Sequence, residues 1–216
     1  MNSHTVGNAT NGKQFTLTIL FAALLVWLTP GGPTLAAVQG GSSFIEKLGQ
    51  QVITVLQTSG GKREASVSQF ETLFADSFDV PFIARAALGR HARKLNGPDA
   101  QAYEAAFSDY VVSLYAAKFA EYAGQSFVVT GEKPVAEKTT LVSAQLRGNT
   151  SQATDLGFVV HRSVGGDLKI IDVTVEGVSL LVAKRSEFAS VINRQGLPAL
   201  TALLREKTTQ LRSASS

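Results

Sequence analysis

Asp172 and Glu176 are the residues of this chain best spaced for acid–base chemistry. They stand four apart in the run Lys169–Glu176 with Thr174 between them, so a strand there would put all three on one face. A carboxylate pair can donate and accept protons around a reacting bond. The same spacing also makes a hydrophilic sheet face, or partners for cations such as Arg185, and this plainer reading has the better claim. Arg185 falls in the apolar stripe of Leu181 and Phe188, where an enclosed guanidinium needs a partner.

A second constellation is basic. Arg85, Arg90, His91, Arg93 and Lys94 crowd one short segment, and Arg85 lies a turn from Pro81 and Phe82 in otherwise apolar surroundings. Cations collect at solvated helix ends, and they also bind phosphate or dock onto acidic surfaces. His91 and His161 each stand alone, without metal-ligand spacing. No serine or cysteine motif accompanies them. Gly60-Gly61 and Gly165-Gly166 read as turns rather than phosphate-binding loops. No basic strand interleaved with aromatics points to nucleic acid. The residues therefore indicate no catalytic group, no metal and no cofactor.

The elements that would carry these residues fall into two periods. Ser43, with Glu46 three residues on, reads as a capping box for a helix bearing Ile45, Leu48, Val52, Ile53 and Leu56. Thr58–Arg63 is a loop, and Val67, Phe70, Leu73, Phe74 and Phe78 repeat at helical spacing. Asp79 and Pro81 start another helix, weakened near its end by Gly89. Pro98 and Asp99 open a long one reaching about Tyr122. Then the period becomes two. Strands are expected over Gln125–Thr130, Thr139–Arg147, around Leu156, Phe158 and Val160, and over Lys169–Glu176, where Ile171, Val173 and Val175 share a face. Val164–Asp167 is a hairpin turn. After Gly177 helices return over Ser179–Arg194 and from Leu197 to about Lys207. This order predicts an α+β domain with a four-stranded antiparallel meander and helices on one face.

The ends and the composition narrow the class. Lys13, the apolar stretch Phe15–Leu28, the breakers Pro30–Pro33 and the small residues before position 38 read as a secretory signal peptide over residues 1–37. An uncleaved anchor would need about 20 apolar residues, more than this run supplies. Removing the segment takes away Lys13 alone, so the net charge of +3 becomes +2, too small for a general polyanion-binding surface. The chain has no cysteine, so an exported domain must rely on its core rather than disulfides. Residues 38–207 form one domain, with 208–216 as a flexible polar tail.

Three segments carry a resemblance: Phe78–Leu95, Asp109–Tyr115 and Ile170–Ile192. Together they resemble the toluene-tolerance (MlaC-type) family of periplasmic lipid-binding proteins, over roughly Phe44–Arg205 and in the same order. Ala92 stands where members commonly carry Trp, and Leu168 where an aromatic usually precedes Lys169. The resemblance implies a curved sheet wrapped by helices, a phospholipid ligand and no enzymatic activity. It also implies an outer-membrane lipoprotein complex and an inner-membrane ABC transporter with an MCE-domain subunit as partners. A branch associated with hopanoid export makes a polycyclic lipid an alternative ligand.

The long helix gives that implication a physical form. Tyr103, Phe107, Tyr110, Val111 and Leu114 make one stripe, and Val112, Tyr115, Phe119 and Tyr122 another. A helix against a single core needs one stripe, so this helix is enclosed on two sides. The pattern alone fits a filled core as well as a hollow, and the resemblance favours the hollow. Its walls are then expected from Phe82 and Ile83, and from Phe107, Tyr110, Val111, Leu114, Tyr115 and Phe119 of the long helix. The sheet would add Phe127, Val129, Val142, Ala144, Phe158, Val160, Val173 and Val175, and the segment after Gly177 would add Val178, Leu181 and Phe188. Ala84, Ala86, Ala87, Ala116 and Ala117 would leave space, or simply favour helix. Arg85, Arg90, Arg93 and Lys94 would meet a headgroup or a partner. Two other classes stay open: a small exported enzyme using Asp172 or Glu176, and an adaptor with a filled core.

Overall fold

The sheet is a meander. In a computed structural model describing residues 38–58, 63–119, 125–148 and 153–214, its strands run β1-β2-β3-β4-β5, each antiparallel to the next. They span β1 Ser126–Ala136, β2 Thr139–Arg147, β3 Ala153–Arg162, β4 Leu168–Val175 and β5 Val178–Ser179. The helices are α1 Gly41–Thr58, α2 Arg63–Ser77, α3 Val80–Leu88, α4 Gly97–Phe119, α5 Leu180–Gln195 and α6 Leu197–Ser213, with a short tight helical turn over Gly89–Lys94. This is the expected α+β architecture, with a two-residue fifth strand added to the expected four. Among the described residues no helix is long and apolar enough to cross a membrane. The signal-peptide segment and Tyr122 lie outside the described residues.

Local chemistry explains most boundaries. Asp79 caps α3, its Oδ1 accepting from the Phe82 N–H at 3.1 Å, and Pro81 pre-sets the first turn. The Asp79 N–H donates to the Ile170 carbonyl at 3.0 Å, which anchors the start of α3 on β4. Gly177 takes a φ of +77°, turning β4 back into β5, and Ser179 then caps α5 by accepting from the Val182 N–H at 3.0 Å. The start of α1 differs from the capping box expected at Ser43. Ser43 is inside the helix, and Glu132 of β1 accepts from the Ser42 N–H at 2.8 Å. A strand carboxylate, distant in sequence, has taken the cap's place.

Three further expectations are corrected. β1 runs on to Ala136 through Gly131 and Pro134, with register shifts at Val129/Gly131 and Pro134/Ala136. It is an edge strand, where proline and bulges are tolerated. In β4, Val159 pairs with Asp172 while Val160 pairs with Ile170, so Ile171 is a bulge. The bulge breaks the alternation and brings Ile170, fully buried, beside Val142 and Val160. Finally, the expected tail beyond Lys207 continues α6 to Ser213. Thr208 is buried and returns its hydroxyl to the Leu204 carbonyl at 2.8 Å, Leu211 packs on the core, and Arg212 donates to Ser113 at 3.2 Å. Leu200, Leu204, Thr208 and Leu211 keep helical spacing, so the apolar face outlasts the polar composition.

Packing closes three clusters. Tyr103, Ala106, Phe107 and Tyr110 of α4 join Leu88, Phe188, Leu200 and Leu204, and the Tyr103 hydroxyl donates to the Ala84 carbonyl at 2.9 Å. Ile45 of α1 sits on Val142, Val160 and Ile170 of the sheet. Val112 turns the other way, onto Phe70 and Phe74 of α2. So α4 is enclosed on more than one side, as its two stripes require.

Among the described residues one buried side-chain polar atom is unpaired. Thr140, on the buried face of β2, is fully enclosed and its hydroxyl has no hydrogen-bond partner among the described residues. An unsatisfied buried group costs roughly 1–3 kcal/mol, and an apolar group of equal shape avoids this. Thr140→Val is therefore expected to raise the unfolding free energy by about 1 kcal/mol, read as a higher denaturant midpoint at unchanged slope; a lower midpoint would show the hydroxyl to be satisfied.

Candidate functional site

Between the clusters lies a cavity of about 690 Å³. One wall is α4, where Phe107, Tyr110, Val111 and Leu114 of the first stripe stand with Tyr115 of the second. Opposite stands the sheet: Phe127, Leu146, Leu156, Phe158, Ile171, Val173 and Val175. Ile45, Leu48, Val52 and Ile53 of α1, Phe70, Leu73 and Phe74 of α2, and Leu180 and Leu181 of α5 line it too. Phe127 and Phe158 meet edge to face, 6.0 Å between centroids. Gly49 makes this possible. A Cβ there would come within 2.4 Å of the Phe127 ring, so only glycine lets α1 lie this close without pushing that ring aside.

Of the expected wall residues, Ile83, Phe107, Tyr110, Val111, Leu114, Tyr115, Phe127, Phe158, Val173, Val175 and Leu181 line this cavity. Val142, Ala144, Val160 and Phe188 are instead buried in packed core, and Val129 leans on the Ile45 cluster. Phe82 is 44% exposed and tilts over the His161 ring, and Val178 is 61% exposed at the β4–β5 turn. Those two had the right hydrophobicity but sit at a helix start and a turn, where side chains face water. The Phe119 side chain lies outside those described. The contribution of α1 and α2 was missed, because their stripes look the same whether they face a core or a hollow.

The expected polar groups are occupied elsewhere. Asp172 does line the cavity, but its Oδ2 accepts from Ser179 Oγ at 2.5 Å and its Oδ1 from the Leu181 N–H at 3.1 Å. It is a second cap on α5, and both oxygens are engaged. Glu176 lies in the exposed turn after β4, accepting from the Asp155 N–H at 2.7 Å. The two carboxylates do separate structural jobs. Arg185 does not meet them either: its Nε donates to the Ala86 carbonyl at 3.0 Å, at the C-terminal end of α3.

The basic run stays outside the cavity lining. Arg85 pairs with Glu104 at 3.2 Å with its side chain largely exposed, Arg90 reaches Asn193 at 3.4 Å, and Arg93 is exposed. The Lys94 side chain lies outside those described. His161 pairs with Asp79 at 2.9 Å, and half-buried His91 neighbours Arg90.

The cation that does line the cavity is Lys184. Its Nζ donates to the Tyr110 hydroxyl at 3.2 Å and to Glu187 at 2.7 Å, and it stands 5.5 Å from the Tyr110 ring centre. Burial alone would push its pKa down, but the bonds to Glu187 and Tyr110 outweigh this and raise it. Tyr115 is raised too, first by burial, with Lys184 working against the shift. Lys184 shares the face of Leu181 and Phe188, so the same spacing that drew attention to Arg185 held the signal for its neighbour.

With the geometry in place, two similarities bear on it. The family model described as MlaC protein matches residues 46–206. The fold is similar to a solved structure of a phospholipid-binding protein from Ralstonia solanacearum in complex with a phospholipid. The TM-score is 0.69 at 20% identity, covering 79% of this chain and 98% of that one.

Two outcomes follow from the site's polar groups. Asp172→Ala should lower the unfolding free energy by about 1–2 kcal/mol, the worth of a helix cap, whereas Glu176→Gln should change little; equal losses in denaturant titrations would contradict the assignment. The pH dependence has a definite sign. Lys184 and Tyr115 hold protons more tightly folded than unfolded, so their contribution is complete below the ordinary values of 10.5 and 10.0 and is lost as pH rises past them. Stability measured from neutral to strongly alkaline pH should therefore fall only at the alkaline end on their account.

Proposed function

The chain belongs to the MlaC protein family, and from that premise we propose that it is a periplasmic carrier that shelters the hydrocarbon of a phospholipid in its cavity. On this reading residues 1–37 direct export and are removed. The mature domain takes lipid from one membrane complex and releases it to another, an outer-membrane lipoprotein complex at one end and an inner-membrane ABC transporter with an MCE-domain subunit at the other. No covalent step is required. Binding, desolvation and hand-over suffice.

The observation that carries the reading is the cavity itself: about 690 Å³, walled almost entirely by aliphatic and aromatic side chains between helices and sheet. Magnitudes favour a hydrocarbon occupant. Each buried methylene contributes about 0.8 kcal/mol, so a long acyl chain gains on the order of 10 kcal/mol in gross terms. A typical hydrogen bond adds only about 1 kcal/mol net. Walls of this kind therefore select chain length and bulk before any polar feature, and the engagement of Asp172 at the start of α5 weighs against an enzymatic role. The phospholipid held by the similar Ralstonia solanacearum protein supports the choice of ligand.

Native mass spectrometry and lipid extraction of the mature protein, purified from the compartment where it matures, test this directly. Stoichiometric phospholipid is expected; a polycyclic lipid would move the assignment to the hopanoid branch, and protein free of any lipid would overturn it. Val111→Trp places an indole in the cavity and Leu114→Arg a charge. Both should abolish co-purified lipid, and the tryptophan variant should keep the circular dichroism of the parent; retention of lipid by both would exclude this cavity as the binding site.

A further inference from the structure

Besides Gln125, the apolar cavity carries charged side chains in its lining, and their chemistry is specific. Asp172 and Lys184 are the charged residues in its lining, and the oxygens of Asp172 are both bound to the start of α5. Lys184 is differently placed. An ammonium has three donors, and its partners among the described residues are the Tyr110 hydroxyl and Glu187. One N–H therefore has no protein acceptor there. Tyr115 lines the same cavity, lies within the electrostatic reach of Lys184, Tyr110 and Asp172, and its hydroxyl makes no hydrogen bond to a described residue.

Position adds to this. The Lys184 side chain is 31% exposed while it lines the cavity, so the cation stands where the greasy wall meets water. An amphiphile with its chains inside must leave its polar group at such a rim. Glu187, three residues further along α5, is the more exposed of the pair at 41%. It can be rehydrated at little cost when another anion takes its place.

Resting on the reading of the cavity as a lipid site, we propose that Lys184, with the hydroxyls of Tyr110 and Tyr115, receives an anionic oxygen of the bound lipid. The protein thereby favours phosphate- or carboxylate-bearing lipids over neutral ones with the same chains. Lys184 supplies the free N–H and the charge, Tyr110 holds the ammonium in place, and Tyr115 offers a second donor. A charge-assisted hydrogen bond at a partly desolvated rim corresponds to about a 10- to 100-fold preference, reduced by whatever Glu187 retains.

Short-chain lipids that dissolve as monomers allow a calorimetric test on delipidated mature protein. Dioctanoyl phosphatidate should bind about tenfold or more tighter than dioctanoylglycerol. Lys184→Met should bring that ratio close to one, and Glu187→Gln, which removes the competing carboxylate, should increase it. Octanoate should show the same dependence on Lys184 as phosphatidate. A wild-type ratio near one, or a ratio unmoved by Lys184→Met, would overturn the role of Lys184 while leaving the lipid cavity intact. Failure of both glycerolipids to bind would instead remove the carrier reading beneath it. Inorganic phosphate binding as tightly as phosphatidate would reassign the site to a free oxyanion and also defeat the proposal.

Discussion

A helix that is apolar around most of its circumference has to be covered on more than one side, and α4 imposes that demand on everything else. From Tyr103 to Tyr115 it buries one side against α3, α5 and α6 and places Val112 against α2. The remaining side, Val111, Leu114 and Tyr115, faces the sheet across a hollow. Cover on that side comes from the sheet and from α1, whose Ile45 packs on β2, β3 and β4, and the hollow lies between them and the helix. A domain with α4 at its surface would expose a large apolar stripe to water, which folded monomers seldom tolerate.

The second regularity concerns charge. Polar side chains near the cavity are spent on the ends of helices, each with the sign that the helix dipole favours. Glu132 of β1, Asp79 just before α3, and Asp172 of β4 accept from the N-terminal turns of α1, α3 and α5 respectively. Lys169 of β4 donates to the Asp76 carbonyl at the end of α2, and Arg185 to the Ala86 carbonyl at the end of α3. These contacts fix the helices on the sheet and on one another while leaving few charges facing the hollow. Lys184 is the departure, a cation held at the rim by a tyrosine and a glutamate rather than by a helix end.

Much of this was legible in the chain. The strand–turn–helix passage through Gly177, the cap at Asp79, the hairpin at Val164–Asp167 and the double-sided α4 all came from period and local turn chemistry, which act over a few residues. The failures share a cause. The cap on α1 by Glu132, the bulge that buries Ile170, and the capture of Arg185 by Ala86 depend on partners far away in sequence. A period-two pattern cannot foresee a bulge, since one added residue exchanges the faces without altering hydrophobicity. Nor can an apolar stripe say what it faces: Leu48 and Val52 line the hollow, while Ile45 of the same stripe both touches it and packs, fully buried, on the sheet. Phe188, an aromatic as large as Phe158, proved to be filling rather than wall for the same reason.

A hollow of about 690 Å³ is too large to be a packing defect. At about 24 cal/mol per Å³, opening such a void in a rigid core would cost on the order of 15 kcal/mol. That is as much as the entire stability of an ordinary domain, about 5–15 kcal/mol. The fold is carried by three clusters packed around the hollow, and several of their members, Ile45, Phe74, Phe107 and Tyr110 among them, also form its wall. Tyr103, Phe188 and Leu204 support the first of them, Ile45, Val160 and Ile170 the second, and Phe70, Phe74 and Val112 the third. Leu114, Tyr115 and Phe158 are only partly buried at the margins of these clusters, and they also line the hollow. An occupant that buries hydrocarbon against them then stabilises the folded state by mass action, in proportion to its affinity. Tyr103, Phe188, Leu204, Val160 and Ile170 pack away from the hollow, so their contacts do not depend on whether it is filled.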